Sequence, residues 1–156
     1  MIELRASRVE ELRDFCVMEQ DEGSSRFVLP NSLAHHQREY AREDIVYLSI
    51  YHVDELAGFF ILALEPDQTS IEFRRIVVAI KDAGIGQPAI RAMETYCAER
   101  LQRKRIWLDV FEFNKRGRHI YEKLGYRLFD SRDHDGKKLL FYQKNINGQS
   151  TTDPGR

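Results

Sequence analysis

Asn114-Lys115-Arg116-Gly117-Arg118-His119-Ile120-Tyr121-Glu122-Lys123-Leu124-Gly125-Tyr126 is the stretch on which the reading of this chain turns. Residues from about Lys115 to Leu124 read as a short helix. Asn114 stands where an N-cap belongs, and Gly125 where a left-handed C-cap ends the last turn, with Tyr126 closing back on the helix. Just before it, Ile106-Trp107-Leu108-Asp109-Val110-Phe111 reads as a buried strand. Ahead of that strand, Ile85, Ala89, Met93 and Cys97 mark one stripe of a long crossover helix ending near Gln102. Lys81-Asp82-Ala83-Gly84-Ile85-Gly86-Gln87-Pro88 leads into it. Glycines there turn the chain tightly and expose bare backbone. The N–H groups of a first helical turn lack intrahelical partners and attract phosphate oxygens, and Pro88 fits a turn that does not need its N–H.

Further upstream the period is that of strands. Ile45-Val46-Tyr47-Leu48-Ser49-Ile50-Tyr51, Leu56 to Leu64, and Ser70 to Val78 are β-branched and aromatic. Turns at His52-Val53-Asp54-Glu55 and Glu65-Pro66-Asp67-Gln68 make them an antiparallel meander. At the start, Ile2 and Leu4 suggest a short strand, and Ser7 with Glu10 has capping-box spacing ahead of Val9, Leu12 and Cys16. A loop with Gly23, Ser24, Ser25 and Pro30 follows, and Asn31 or Ser32 is placed to cap a second helix to about Ala41. Two strands around Asp133-His134-Asp135-Gly136 finish the chain. The expected order is β-α-α-β-β-β-α-β-α-β-β, an α+β fold with a mixed, mostly antiparallel sheet flanked by helices. One domain is expected over 1–145, and 146–156, which has little apolar surface to bury, is expected as a mobile polar tail.

Composition narrows the function. The chain has 156 residues, 42% hydrophobic and 31% charged, the profile of one packed globule rather than a disordered segment. Its 24 Lys and Arg against 25 Asp and Glu give a net charge of -1, which argues against a nucleic-acid partner. The start Met1-Ile2-Glu3-Leu4 has no signal-peptide pattern, and the run from Leu56 to Leu64 is too short to span a membrane. Cys16 and Cys97 read as reduced thiols, so the expected location is cytoplasmic.

The glycine loop and the Asn114–Tyr126 element, in that order and at this spacing, resemble the GNAT superfamily of acetyl-CoA-dependent N-acetyltransferases. The first is similar to that family's Arg/Gln-x-x-Gly-x-Gly/Ala pyrophosphate loop, with Lys81 in place of Arg or Gln. The second is similar to its Asn-x-x-Ala-x-x-x-Tyr-x-x-x-Gly-Phe/Tyr element, with Gly117 in place of Ala, a change that costs a helix roughly 0.5–1 kcal/mol. The link from Val78 to Lys81 is shorter than in many members. The resemblance spans about Ser70 to Tyr126, and the strand order carries it over most of 1–145.

The resemblance implies acetyl-CoA as co-substrate and direct acetyl transfer to a primary amine. It implies that Tyr121 protonates the departing thiolate and that Glu72 is the base, directly or through water; Asp109 is a weaker alternative. It implies that the N–H of Val78, helped by Ile76, holds the thioester oxygen. Lys81, Asp82, Ala83, Gly84, Ile85, Gly86 and Gln87 would cradle the pyrophosphate, Asn114 would reach the pantetheine arm, and Arg116 would meet CoA phosphates near Lys115 and Arg118. The chemistry asks for such groups. Holding an amine of pKa ~10.4 neutral near pH 7.4 costs about 4 kcal/mol, and an aimed backbone donor is worth roughly 2.7–4 kcal/mol to an oxyanion.

Each of these residues also has a plainer use: Tyr121 packed on the sheet, Glu72 paired with Arg74 or Arg75, Asn114 as an N-cap only. Tyr40, Tyr47, Tyr51 and Phe27 either line an acceptor groove or simply pack. Gly84-x-Gly86-x-x-Ala89 also meets a loose dinucleotide-binding pattern, but the preceding antiparallel meander does not suit that fold. Adjacent His35 and His36 diverge on a helix, and no metal site is expected. Neither cysteine has an evident activating group, which disfavours an acyl-cysteine intermediate. A non-catalytic acyl-CoA-binding or sensing module is the alternative function. A homodimer fits the family, though no residue specifies it, and the sequence names no acceptor.

Overall fold

The computed structural model describes residues 1–21, 30–80 and 83–146. In chain order the elements are β1 (Ile2–Ala6), a 3-10 turn (Val9–Glu11), α1 (Leu12–Gln20), α2 (Leu33–Tyr40), β2 (Ile45–His52), β3 (Glu55–Leu64) and β4 (Ser70–Val78). They continue with α3 (Gly86–Glu99), β5 (Arg105–Phe111), α4 (Lys115–Lys123), β6 (Arg127–His134) and β7 (Lys137–Asn145). This is the expected order, and the fold is mixed α+β. Hydrogen-bonded strands follow the sequence β1-β2-β3-β4-β5-β7-β6. Antiparallel pairing joins β1 to β2, β2 to β3, β5 to β7 and β6 to β7, whereas β4 and β5 pair in parallel.

The described residues fall into two compact units. Met1–Leu64 with Phe73–Met93 form the first. Its core joins Leu12 and Phe15 of α1 to Ile45, Tyr47, Phe59, Ile61 and Ala63 of the meander and Val77 of β4. Phe15 stacks on Phe59 with ring centroids 4.1 Å apart. The β2–β3 turn carries Val53 at φ 50° and Asp54 at φ 63°, the two positive values of a type I′ hairpin, whose twist matches that of the strands.

Ser7 is not the cap that its spacing predicts. Its hydroxyl is buried and lies 2.8 Å from that of Ser49. The N-terminal turn is instead closed by Glu11, whose Oε1 accepts the Arg8 N–H at 2.9 Å. A carboxylate near the N-terminal N–H groups satisfies them with more charge than a hydroxyl supplies. Ser32 does cap α2, accepting from the His35 N–H at 3.1 Å.

The second unit comprises Glu65–Glu72 and the residues from Glu94 onward. Here β5 lies between the start of β4 and β7. The parallel ladder runs from Ser70↔Arg105 to Glu72↔Trp107, and β7 covers β5 from Arg105↔Asn145 to Phe111↔Leu139. The C-terminus of α4 is built as its glycine predicts. Gly125 stands at φ 99°, its N–H reaches the Glu122 carbonyl at 3.1 Å, and the Tyr126 N–H reaches Tyr121 at 2.9 Å. Those two bonds are the Schellman pattern. Of the expected 1–145 domain and 146–156 tail, residues 147–156 lie outside the described residues. Among the described residues no helix is long and apolar enough to cross a membrane.

Candidate active site

Within the first unit, β4 and the start of α3 carry the residues expected to face a coenzyme. Ile76 and Val78 are half-buried on β4, with Val77 between them in the core. Ala83 and Gly84 are exposed, Ile85 is buried as the anchor, and Gly86 and Gln87 begin α3 half-buried. Lys81 and Asp82 lie outside the described residues. Gly84 holds φ 65°, a left-handed conformation that strains any side chain. A Cβ at Gly84 or at Gly86 would meet nothing within 4 Å, so neither glycine is there to admit the protein's own atoms. The Ala89 N–H closes onto the Ile85 carbonyl at 3.0 Å, which leaves the first-turn amides of Gly86 and Gln87 ahead of the ladder. An exposed, uncrowded backbone turn at a helix N-terminus is a fit place for phosphate oxygens.

The same unit contains a charged network that the sequence reading missed. Glu19, at the end of α1, is wholly buried, and so is His36 of α2. Glu19 Oε1 lies 2.7 Å from His36 Nε2, and Oε2 accepts from Arg75 of β4 at 2.5 Å. The Asn31 N–H donates to the same carboxylate at 3.2 Å. Burial opposes its ionisation, but the hydrogen bonds from His36 and Arg75 prevail and hold it below the usual carboxylate range. On its far side His36 Nδ1 lies 2.7 Å from the Tyr47 hydroxyl. One i,i+4 neighbour is visible to a reader of α2, but partners 17 and 56 residues away are not.

This network revises several expectations. Tyr47 belongs to the core, 4% exposed. Tyr51 donates to Glu11, and Tyr40 donates to the Ser7 carbonyl at 2.8 Å. Tyr47 therefore packs in the core, while Tyr40 and Tyr51 are half-buried with their hydroxyls engaged; Phe27 lies outside the described residues. Arg75 pairs with Glu19, and Arg74 is 3.5 Å from Glu39.

In the second unit α4 presents Tyr121. Its N-terminus is fixed by Asn114, whose Oδ1 accepts the Gly117 N–H at 2.9 Å. A Cβ on Gly117 would come within 2.8 Å of the Asn114 amide, so the glycine in the usual alanine position leaves room for the cap. Arg116 and Lys115 are exposed, whereas Arg118 is drawn to the Tyr142 hydroxyl at 3.3 Å and the Glu112 carbonyl at 3.2 Å. Tyr121 is half-buried, with its ring edge-on to Tyr126 at 6.0 Å. Burial, reinforced by the negative charge of Asp109, pushes its phenol up to about 12. Asp109 is exposed on β5 rather than enclosed in an apolar strand. Glu72 is half-buried at the last rung of the β4–β5 ladder.

Burial also raises both thiols, that of Cys97 to about 12. Neither is a ready thiolate. Among the described residues no group of three or more His, Cys, Asp or Glu is placed to hold a metal ion.

Known proteins resemble the chain in sequence and in fold. A spermine/spermidine N(1)-acetyltransferase from Bacillus subtilis (strain 168) is 24% identical over 101 residues, 60% of this chain and 66% of that protein. The match therefore spans just under two thirds of that relative. The crystal structure of spermidine N-acetyltransferase from Vibrio cholerae in complex with CoA and spermine shares the fold, with a TM-score of 0.77 at 17% identity over 93% of this chain and 95% of that one. The model of the acetyltransferase (GNAT) family matches residues 9–126, a span that includes the glycine turn, the Asn114 cap and Tyr121, and the chain belongs to that family.

Proposed function

We propose that this protein is an N-acetyltransferase that moves the acetyl group of acetyl-CoA directly to a primary amine. The observation that carries this reading is the half-buried phenol of Tyr121, held neutral far above physiological pH on a helix whose both ends are fixed. A phenol of that kind keeps its proton and offers it, as a hydrogen bond, to a thiolate leaving the thioester. The turn from Ala83 to Gln87, exposed at Ala83 and Gly84 and leading into a helix N-terminus, supports a pyrophosphate there, and Lys81 and Asp82 precede it in the sequence. In the proposed mechanism the Val78 N–H, assisted by Ile76, stabilises the oxyanion that forms when the amine adds to the carbonyl. Glu72 takes the amine proton, Asn114 bonds the pantetheine arm, and Arg116 meets a coenzyme phosphate. Collapse of the adduct breaks the C–S bond; the thiolate leaves on the Tyr121 hydrogen bond and takes a proton from water while Glu72 returns the amine proton to water, leaving an amide and CoA thiol.

The Bacillus and Vibrio proteins are named for spermine and spermidine, and we take polyamines as the first acceptors to test. Thiol release from acetyl-CoA, followed over a panel of polyamines, amino sugars and peptide N-termini, tests the proposal. Amine-dependent release above the hydrolytic background is the expected result, and its absence across the panel with bound acetyl-CoA would refute it.

A further inference from the structure

The second unit holds a cavity of about 510 Å³ lined by Gly125, Arg127, Leu128, Gln143, Lys144 and Asn145. Its place follows from the strand register. The β6–β7 ladder begins at Arg127↔Gln143, so the end of β7 runs on past the start of β6, beside the Gly125 cap of α4. Residues of an antiparallel strand turn their N–H and C=O groups to alternate sides. Ile146 donates to the Lys104 carbonyl at 2.8 Å and so faces β5. Asn145 therefore faces the other way, where no strand stands opposite it. Its main-chain N–H is thereby turned toward the cavity that Asn145 lines.

Donors collect there, while the neighbouring acceptors are already engaged. Arg127 is exposed, and its guanidinium forms no ion pair among the described residues. Gln143 Oε1 accepts from Arg105 Nε at 2.6 Å, which leaves the NH₂ end of that amide to donate. Lys144 Nζ donates to Glu94 Oε1 at 2.9 Å and to the Leu124 carbonyl at 2.7 Å, and an ammonium has one hydrogen more. Glu94 offsets the Lys144 charge, so Arg127 sets the sign of the cavity. The last carbonyls of α4 would repel an anion, but Tyr126, Gly125 and Lys144 already cover those of Tyr121, Glu122 and Leu124. Leu128, 54% exposed, adds an apolar wall.

We propose that this cavity binds a small organic anion, a carboxylate or a phosphate ester, with the anionic group on Arg127 and the amides of Gln143 and Asn145. A guanidinium meets two oxygens of either group in parallel. The volume is that of small-molecule sites, about 300–1,000 Å³, and Leu128 suits a carbon skeleton that a bare ion lacks. The site goes beyond acetyl transfer. The nine residues of α4, at ~1.5 Å each, put about 13 Å between its Asn114 end, where coenzyme is expected, and its Gly125 end, where the anion binds.

The test is titration of the isotope-labelled chain with malate, citrate, glycerol phosphate and inorganic phosphate in turn, followed by the amide signals in NMR spectra. Expected is saturable binding of at least one organic probe, with Kd below about 1 mM and shifts centred on Gly125, Arg127 and Asn145. Malate or citrate alone assigns a carboxylate, glycerol phosphate alone a phosphate ester, and either supports the site. Saturation by inorganic phosphate alone marks an adventitious ion only and overturns the proposal, as do shifts centred elsewhere or none. Arg127→Ala should weaken the bound probe about 10- to 150-fold, with acetyl-CoA affinity close to wild type. A probe affinity that stays, or an acetyl-CoA affinity that falls with it, overturns the assignment. Should that variant fail to fold, Asn145→Asp sets a repelling charge in the cavity and should weaken the probe likewise; unchanged affinity there overturns the proposal too. None of these results bears on acetyl transfer, which thiol release tests separately.

Discussion

Replacing Tyr121 by phenylalanine removes one oxygen and keeps the ring that meets Tyr126 edge-on at 6.0 Å, so the variant isolates the phenol. Its magnitude follows from the phenol's acidity. Tyr121 is pushed to about 12, and a thiol ionises near ~8.5. Full proton transfer from this phenol to a thiolate would run uphill by about 3.5 pH units, about 5 kcal/mol at 1.36 kcal/mol per unit. The phenol is thus better suited to donating a hydrogen bond to the leaving thiolate than to surrendering its proton. A hydrogen bond to a charged group is worth about 1.5–3 kcal/mol, so kcat should fall about 10- to 150-fold. The fall expected for a full general acid reaches 10²–10⁴-fold. Thiol release under saturating acetyl-CoA measures this, with calorimetry confirming that the coenzyme still binds. Because the phenol stays neutral below its raised value, the wild-type profile should show no loss of activity between pH 8 and 10 that disappears in Tyr121→Phe. Such a limb, or an unchanged kcat in a folded, coenzyme-binding variant, would refute the reasoning.

Four other outcomes are expected. Glu72→Gln should lower kcat/KM by about 10²-fold at pH values where the amine is charged, and a pH–rate profile that superimposes on the wild type excludes Glu72 as the base. Glu19→Ala removes the carboxylate that His36 and Arg75 share and should cost about 3–5 kcal/mol in urea denaturation; a loss under about 1 kcal/mol would mean the network behaves as a surface pair. Glu19 and Glu11 both ionise more readily when folded, Glu11 because donors from Tyr51, Arg8 and Ser49 outweigh its burial. Their contribution to stability is therefore complete above the unfolded carboxylate value of about 4.3 and is lost as pH falls through their lower native values. The Glu19→Gln variant should show a smaller decline over that window. Asn114→Ala removes the cap of α4 and should cost about 1 kcal/mol, measured by thermal unfolding.

What the sequence revealed was what local chemistry decides. The β-branched runs placed the meander, Gly125 placed the end of α4, and Ser32 and Asn114 placed two helix starts, because each acts within a few residues of itself. Long-range partners were not legible. Nothing near Ser7 indicates that Ser49 takes its hydroxyl and that Glu11 closes the turn in its place. Glu19, His36 and Arg75 look like solvated charges on three separate elements until α1, α2 and β4 bring them together. Tyr47 was open to a groove as well as to ordinary packing, and its bond to His36 and its stacking place it in the core.

The most direct test of the account is to incubate the protein with acetyl-CoA labelled in its acetyl group and with spermine, then to follow the label by mass spectrometry. The account predicts acetylspermine, with one CoA thiol released for each acetyl group transferred. Acetyl-CoA bound tightly by the folded protein, with no label reaching spermine or any amine of the panel, would contradict it and identify a binding module in place of an enzyme.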